Sequence, residues 1–391
     1  MCRLELQRII FLLSVLFYRE LKCECRHSYL TFCDDLTDLQ KYDVENWREV
    51  VIGNENMQNS QLHSLDYDTL SLEKFEKLKI LIVVRQLNEI KTNTFNIEPH
   101  LTRLEFLKFY GNEIRILKFN TFVDIKLREL SLVNNNIEYI QEEAFDYTDI
   151  RSIDLSYNKL ERIETDVFTD ELLRKGTKEL VFRHNKINRI ELKSFPSSLE
   201  ILNLDYNHLT YFSEETYANL YELQELTLSH NRIFQVADYI RLGELTELQV
   251  LDLSYNQINS SSFLKSITPP NKAKKDPLLQ ISLAFNQFRF LDLEGNRLEQ
   301  YIVSLFGNPW DCQCWPVMAK SMADNKMKRN QCDVRLFGNG QVPYCIYYGN
   351  DNCTKTTENL EENDNVDYEH FFEIIKARQD TVGCKLTPEQ V

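Results

Sequence analysis

The sequence predicts an α/β solenoid: short parallel β-strands wound coil upon coil into one array, with a disulfide-bonded cap at each end. Three observations predict it. Nine asparagines recur through the 391-residue chain at separations of 23, 23, 27, 22, 24, 25, 30 and 22 residues, one supersecondary unit per step. Each asparagine follows a short apolar alternation, such as Leu130 and Leu132, whose period of two points one face of a strand inward. The ten cysteines sit at the two ends only, with none between Cys33 and Cys312.

The alternation and the asparagine together follow L-x-x-L-x-L-x-x-N-x-L. Copies include Leu104-Leu107-Phe109-Asn112-Ile114, Leu127-Leu130-Leu132-Asn135-Ile137, Ile150-Ile153-Leu155-Asn158-Leu160 and Leu199-Leu202-Leu204-Asn207-Leu209, and further copies carry Asn185, Asn231, Asn256, Asn286 and Asn308. The pattern resembles the leucine-rich repeat. That resemblance implies a horseshoe whose parallel strands form a concave sheet.

The asparagines have a physical reason to recur. After each strand the backbone bends sharply, and an Asn side chain supplies donors and an acceptor to backbone groups that are otherwise buried unpaired. Replacing Asn158 is expected to cost a few kcal/mol. About ten residues further on comes an aromatic column, Phe122, Phe145, Phe168, Phe195 and Tyr217, read as core of the convex wall, each ring contributing about 1.5 to 3 kcal/mol. Residues 78–95 fit a degenerate repeat through Leu78, Leu81, Val83, Ile90 and Phe95, and residues 47–72 fit another. The excursion from Ser260 to Pro277 holds Pro269, Pro270 and three lysines, and is expected to leave the coil as a loop.

The ends read as caps, because an open solenoid exposes apolar edges that must be covered. Arg3 and Arg8 precede an apolar run, Ile9 to Tyr18, too short for a membrane span and fitting a secretory signal. Cys25 and Cys33 then suit a small β-hairpin over the first coil, and Cys312, Cys314, Cys332, Cys345, Cys353 and Cys384 furnish the other cap, with fifteen pairings open. Residues 358–369 are strongly acidic. The division expected is residues 1–23 signal peptide, 24–77 N-terminal cap and irregular first repeat, 78–308 repeats, and 309–391 cysteine-rich cap with acidic tail. Asn259 and Asn352 stand in N-glycosylation triplets.

Several function classes find no support. A net charge of −15 opposes a polyanion, and the one basic cluster, Lys272, Lys274 and Lys275, is short, so no nucleic acid is expected. No His-Glu-x-x-His, no Gly-x-Ser-x-Gly and no phosphate-cradling glycine loop occurs, so neither catalysis nor a cofactor is expected. Cys312 and Cys314 lack the spacing and partners of a zinc site, and His184 and His230 stand two repeats apart, so no metal is expected.

Asn308-Pro309-Trp310-Asp311-Cys312-Gln313-Cys314-Trp315 resembles the start of the C-terminal cysteine cap of extracellular leucine-rich repeat proteins. With the short two-cysteine hairpin, it is similar within that superfamily to insect secreted leucine-rich immune proteins of the mosquito type. The resemblance implies a secreted, circulating protein that associates with protein partners, complement-like thioester proteins among them, in innate immunity. The chain departs from the long members: no heptad repeat follows Cys314 and no two cysteines adjoin, so their coiled-coil dimer is not implied. The same scaffold equally suits an extracellular regulator of development or matrix assembly.

Binding is expected on solvent-facing strand positions at the inner surface of the curve. The column just before each asparagine reads Gly111, Asn134, Tyr157, His184, Tyr206, His230, Tyr255 and Phe285, and its aromatic and imidazole members, Tyr157 to Phe285, are the candidate contact residues. The same residues equally fill space beside the asparagine turn. A second column, Lys108, Asp154, Val181, Asn203, Thr227, Asp252 and Ser282, predicts a mixed polar face, with Arg183 able to pair with Asp205.

Overall fold

Alternating apolar positions become strands buried on one side only, and parallel hydrogen bonds join each strand to its counterpart one coil away. The computed structural model describes residues 24–27, 30–33, 48–53, 64–70, 76–96, 103–236, 245–265, 279–291, 301–324, 328–329 and 345–346, with Phe371 and Glu373, apart from 86, 166, 171–172, 174–175, 213 and 218. The expected signal, the greater part of the 260–277 excursion, the acidic stretch and Cys332, Asn352, Cys353 and Cys384 lie outside the described residues. The chain divides into two units, residues 1–160 with 171–177, and residues 161–170 with 178–391.

In the first unit the main strands are β1 (Glu24–His27), β2 (Leu30–Cys33), β3 (Glu49–Ile52), β4 (Ile80–Val84), β5 (Phe106–Tyr110), β6 (Lys126–Ser131) and β7 (Asp149–Asp154). β1 and β2 form the expected antiparallel hairpin, with Glu24 opposite Phe32 and Cys25 opposite Thr31. Whether Cys25 bonds Cys33 rests on side chains outside the described ones. From β2 onward every pairing is parallel, and Leu81, Leu107, Leu130 and Ile153 stand in register, all buried. The irregular repeats at 47–72 and 78–95 thus supply β3 and β4 in register with regular ones. Behind the strands Phe95, Phe122 and Phe145 stack with centroids 5.4 and 5.5 Å apart, and Phe109 meets them from the strand side. Stacked rings tie each coil to its neighbours, so a coil is not stable alone.

The second unit repeats the scheme with β8 (Glu179–Val181), β9 (Ile201–Asn203), β10 (Glu225–Thr227), β11 (Val250–Asp252), β12 (Leu279–Ser282), β13 (Tyr301–Ser304) and β14 (Lys328–Arg329), all parallel. Leu180, Leu202, Leu226, Leu251, Ile281 and Val303 form its inward row. Phe182 contacts Phe168 and Phe195, and Tyr217 is buried. Of the excursion after Asn259 only the start is described, and there it coils rather than loops. Its first residues, Ser262–Lys265, form a 3-10 turn that buries Phe263 and Leu264, because those two side chains continue the apolar wall.

After β13 the chain closes the unit. Trp310–Asp311 pairs in parallel with Cys345–Ile346, and α1 (Trp315–Asp324) buries Met318 and Met322. Trp310 is buried, stacked on Phe288 at 6.4 Å and tilted against Trp315. Among the described residues no helix is long and apolar enough to cross a membrane.

Candidate functional site

The asparagine turn sets the geometry of everything beside it. In the first unit Asn135 donates through Nδ2 to the carbonyls of Leu132 (2.7 Å) and Phe109 (3.0 Å) and accepts from the Asn112 amide at 3.1 Å. Asn112 donates to Val83 and accepts from Leu87, and Asn158 bridges Leu155 and Leu132 while accepting from Ile137. In the second unit Asn207, Asn231 and Asn256 each donate to the carbonyl three residues back and to one in the preceding coil, and accept from Ile187, Leu209 and Ile233. Asn286 and Asn308 repeat the pattern, Asn308 accepting from Phe288 at 3.3 Å, and Asn185 donates to Phe182. All nine are buried. Apart from Asn185, whose bond to Phe182 lies within its own coil, each amide therefore satisfies backbone groups of two coils at once.

The residue before each asparagine does not lie on a strand, as the sequence reading placed it, but in the turn, with a left-handed backbone. Asn134, Tyr157, His184, Tyr206, His230, Tyr255 and Phe285 have φ between 53° and 58°, and Gly111 and Gly307 have 67° and 77°. The peptide must reverse there to present the Asn side chain inward, and only that region of backbone space achieves it. For bulky side chains the conformation costs about 1 to 3 kcal/mol.

In the second unit the side chains of this column form a continuous stack. Ring centroids are 4.1 Å apart from His184 to Tyr206, 4.0 Å to His230, 4.1 Å to Tyr255 and 4.3 Å to Phe285, with planes within 20° of parallel. Phe285 ends the row against the edge of Phe306, with Phe371 packed on the same cluster. Gly307 makes room for it: a Cβ there would lie 2.8 Å from the Phe285 ring. The faces of these rings are spent on one another. His184 to Tyr255 are half-buried and present edges to solvent, while Phe285 is only 5% exposed. Tyr157, in the first unit, is 48% exposed.

Beside the stack runs the polar face of the sheet. Val181, Asn203, Thr227, Asp252, Ser282 and Ser304 are in register along it. Asp252 accepts from the Ser254 amide at 2.9 Å, and Asp205, at the end of its strand, from the Ser229 amide in the next coil at 2.8 Å. Burial, and then the charge of Asp252, pushes the Asp205 carboxyl up to about 6. Burial likewise raises Asp252, and burial with the charges of Glu179 and Asp252 raises Glu225. Arg183, expected to pair with Asp205, lies 5.0 Å over the Tyr206 ring and is the weakest of the influences on that carboxyl. Burial, then Arg183, lowers the basicity of His184.

The face of the first unit carries Lys108, Ser131 and Asp154 in register. Lys108 pairs there with Glu129. Asp154 accepts from the Ser156 amide at 2.8 Å and is raised mainly by burial, with Lys108 among the opposing influences.

In the C-terminal cap Cys312 and Cys345 are disulfide-bonded with Cα atoms 5.0 Å apart, and Cys314 is bonded to a partner outside the described residues. Of the two glycosylation triplets, Asn259 is exposed. Among the described residues no cluster of His, Cys, Asp and Glu suits a metal ion.

Sequence reasoning missed a set of hydroxyls on the opposite wall. Thr94, Thr121 and Ser194 are buried and donate to the carbonyls of Lys91, Lys118 and Glu191, fixing the turns that carry Phe95, Phe122 and Phe195. The signal was a Ser or Thr directly before the ring. The left-handed turn was also missed, although Gly111 and Gly307 standing in the column point to it.

Comparison with known proteins agrees with this construction. The leucine-rich repeat model matches residues 125–174 and 175–233, and a second model of the same repeat matches 247–268. The chain is similar to lumican of Mus musculus, 26% identical over 317 residues that span 71% of this chain and 82% of lumican. It is also similar to fibromodulin of Bos taurus, 31% identical over 256 residues, 62% of this chain and 64% of that one. Among solved structures, the leucine-rich repeat domain of APL1B superposes with a TM-score of 0.52 at 15% identity, covering 89% of this chain and 98% of that domain. Parallel coils, buried asparagine turns and repeat matches converge on the leucine-rich repeat fold, with residues 125–233 and 247–268 matching the repeat itself.

Proposed function

We propose that this protein is secreted and acts as a binding scaffold in innate immune recognition, capturing protein partners, complement-like or other immune proteins, on the sheet face of its second unit. The observation that carries the reading is the row of ring edges from His184 to Tyr255 beside Asp205 and Asp252, whose carboxyls burial raises, with Arg183 the weakest influence on Asp205. Stacked rings are rigid, so contact with them costs little side-chain entropy, and buried carboxylates favour a partner that brings positive charge. Export is supported by the signal-like N-terminus and the cap cysteines. The immune assignment draws on the resemblance carried by the hairpin and by Asn308 to Cys312.

A regulator of development or matrix assembly is the second reading, favoured by the sequence similarity to lumican and fibromodulin. One experiment addresses both: recover the tagged protein from the body fluid of its source and identify co-purifying proteins by mass spectrometry, with and without reductant. Complement-like or other immune proteins support the first reading; matrix components or growth factors replace it with the second. Substituting Tyr206 and Tyr255 by Ala is expected to abolish capture while secretion persists, and unchanged capture removes this face as the site.

A further inference from the structure

The flank of the second unit, away from the ring stack, carries one position repeated coil after coil: the residue three beyond each asparagine. It reads Glu161, Asn188, Thr210, Phe234, Asn259, Arg289 and Asp311. Backbone hydrogen bonds hold the lane together, from the Asn188 amide to the Glu161 carbonyl at 3.0 Å and from Phe234 to Thr210 at 3.2 Å. The Gln257 amide donates to the Ile233 carbonyl at 2.8 Å, which sets Asn259 in the coil beside Phe234. Phe234 is the one apolar member of the lane and is 55% exposed, with Tyr211 exposed nearby on the paired short strand of the previous coil. Phe234 and Tyr211 together offer an apolar spot on this flank that a sugar face could cover.

The neighbour that Phe234 has in the next coil is the exposed Asn259, and Ser261 follows at the second position after it. We infer that Asn259 carries an N-linked oligosaccharide whose first sugars lie across Phe234, so that this flank is a glycan-shielded wall rather than a docking surface. Equivalent positions of adjacent coils stand about 5 Å apart, within the span of one sugar ring. The apolar C–H face of N-acetylglucosamine matches the exposed ring, and its hydroxyls keep the flank wetted. In the transfer, Asn259 Nδ2 bonds to C1 of the first N-acetylglucosamine of a lipid-linked oligosaccharide. The bond from C1 to the lipid pyrophosphate breaks, the pyrophosphate leaves with the electron pair, and the Nδ2 proton passes to a base of the transferase. The inference rests on the reading of the chain as exported.

The test uses the full chain secreted from eukaryotic cells. Peptide mapping before and after peptide N-glycosidase is expected to show a glycan at Asn259, lost in Asn259→Gln and kept in Ser261→Thr. Enzymatic removal of the glycan from the folded wild-type protein, which leaves folding untouched, is expected to raise binding of a hydrophobic dye severalfold. Phe234→Ser is expected to cancel that gain. Asn259 found bare while Asn352 is occupied overturns the inference and leaves export standing. A chain retained inside the cells overturns export and the inference with it. An occupied Asn259 whose removal leaves dye binding unchanged overturns the shielding.

Discussion

The column before the asparagines has one backbone and two chemistries. In the first unit it reads Gly111, Asn134 and Tyr157; in the second it is a run of five rings closed by Gly307. The left-handed φ is the same in both. Glycine and asparagine adopt it at low cost, whereas an aromatic or imidazole side chain does not. The rings are therefore not there because the turn prefers them. Each inner ring stacks on both sides, and at about 0.5 to 1.5 kcal/mol per stacked pair the row offsets part of the backbone cost. The first unit tolerates that opposition at Tyr157, whereas the second runs five rings in succession, which marks its face as the one shaped for something besides folding. The acids are alike in kind, each raised by burial and by a neighbouring carboxylate, Glu129 for Asp154 and Asp252 for Asp205, and opposed by one cation, Lys108 or Arg183; Asp205 is raised the further, to about 6.

The largest effect expected is one the two units share. Asn135→Ala and Asn231→Ala each remove an amide that bonds backbone groups of two coils, leaving buried carbonyls and an amide unpaired. Each is expected to cost about 3 to 5 kcal/mol, with hydrogen exchange rising in the unit that carries the change. Chemical denaturation with exchange mass spectrometry measures both. A cost below about 1 kcal/mol in either unit contradicts the role given to the turn.

A smaller effect separates the units. Tyr206→Gly relieves the left-handed strain but removes stacking on His184 and His230, 4.1 and 4.0 Å away. Strain relief and lost stacking nearly cancel, and the loss of the ring's buried surface leaves a net expected cost of about 1 to 2 kcal/mol. Asn134→Gly, at the same φ without ring neighbours in the stack, is expected to change stability by less than about 0.5 kcal/mol. Equal outcomes for the two, measured by thermal unfolding, erase the contrast drawn above.

How much of this was legible in the sequence depends on the length scale of the interaction. The strand register followed from Leu130 and Leu132 and their equivalents, because period two and a fixed asparagine leave one alignment. The aromatic wall followed for the same reason. The turn before Asn207 was misplaced onto a strand because Tyr206 looks like an exposed strand residue when its own repeat is read alone. Its φ is set by where Asn207 must point, which emerges only once coils are stacked. The ring stack, the Asp205–Asp252 repulsion and the burial of Phe263 likewise arise between coils. One disulfide out of fifteen pairings, Cys312 to Cys345, required the strand pairing of Trp310–Asp311 with Cys345–Ile346.

The smallest effect concerns protons. Asp205 has its carboxyl raised from 3.8 to about 6 in the fold. An acid raised on folding favours the native state when protonated: that contribution is fully present below about pH 4 and is lost as pH rises through about 6. At pH 7 the ionised carboxylate therefore weakens the second unit, by about 1 to 2 kcal/mol once solvent screening is allowed for. Asp205→Asn keeps an oxygen for the Ser229 amide and removes the charge facing Asp252. The variant is expected to be more stable than the wild type at pH 7 and to lose that advantage by pH 4, read as the difference between two urea titrations so that shared titrations cancel. Glu105, which Lys79 and Arg128 hold below the usual range, is one of those shared groups, and its contribution runs the other way. The matching change in the first unit, Asp154→Asn, is expected to give a smaller difference, because burial raises that carboxyl less far than it raises Asp205. A wild-type carboxylate that leaves stability flat between pH 4 and 7 would mean that the sheet face of the second unit is wetter than its burial implies, and that its acids are ordinary surface charges rather than a poised binding surface.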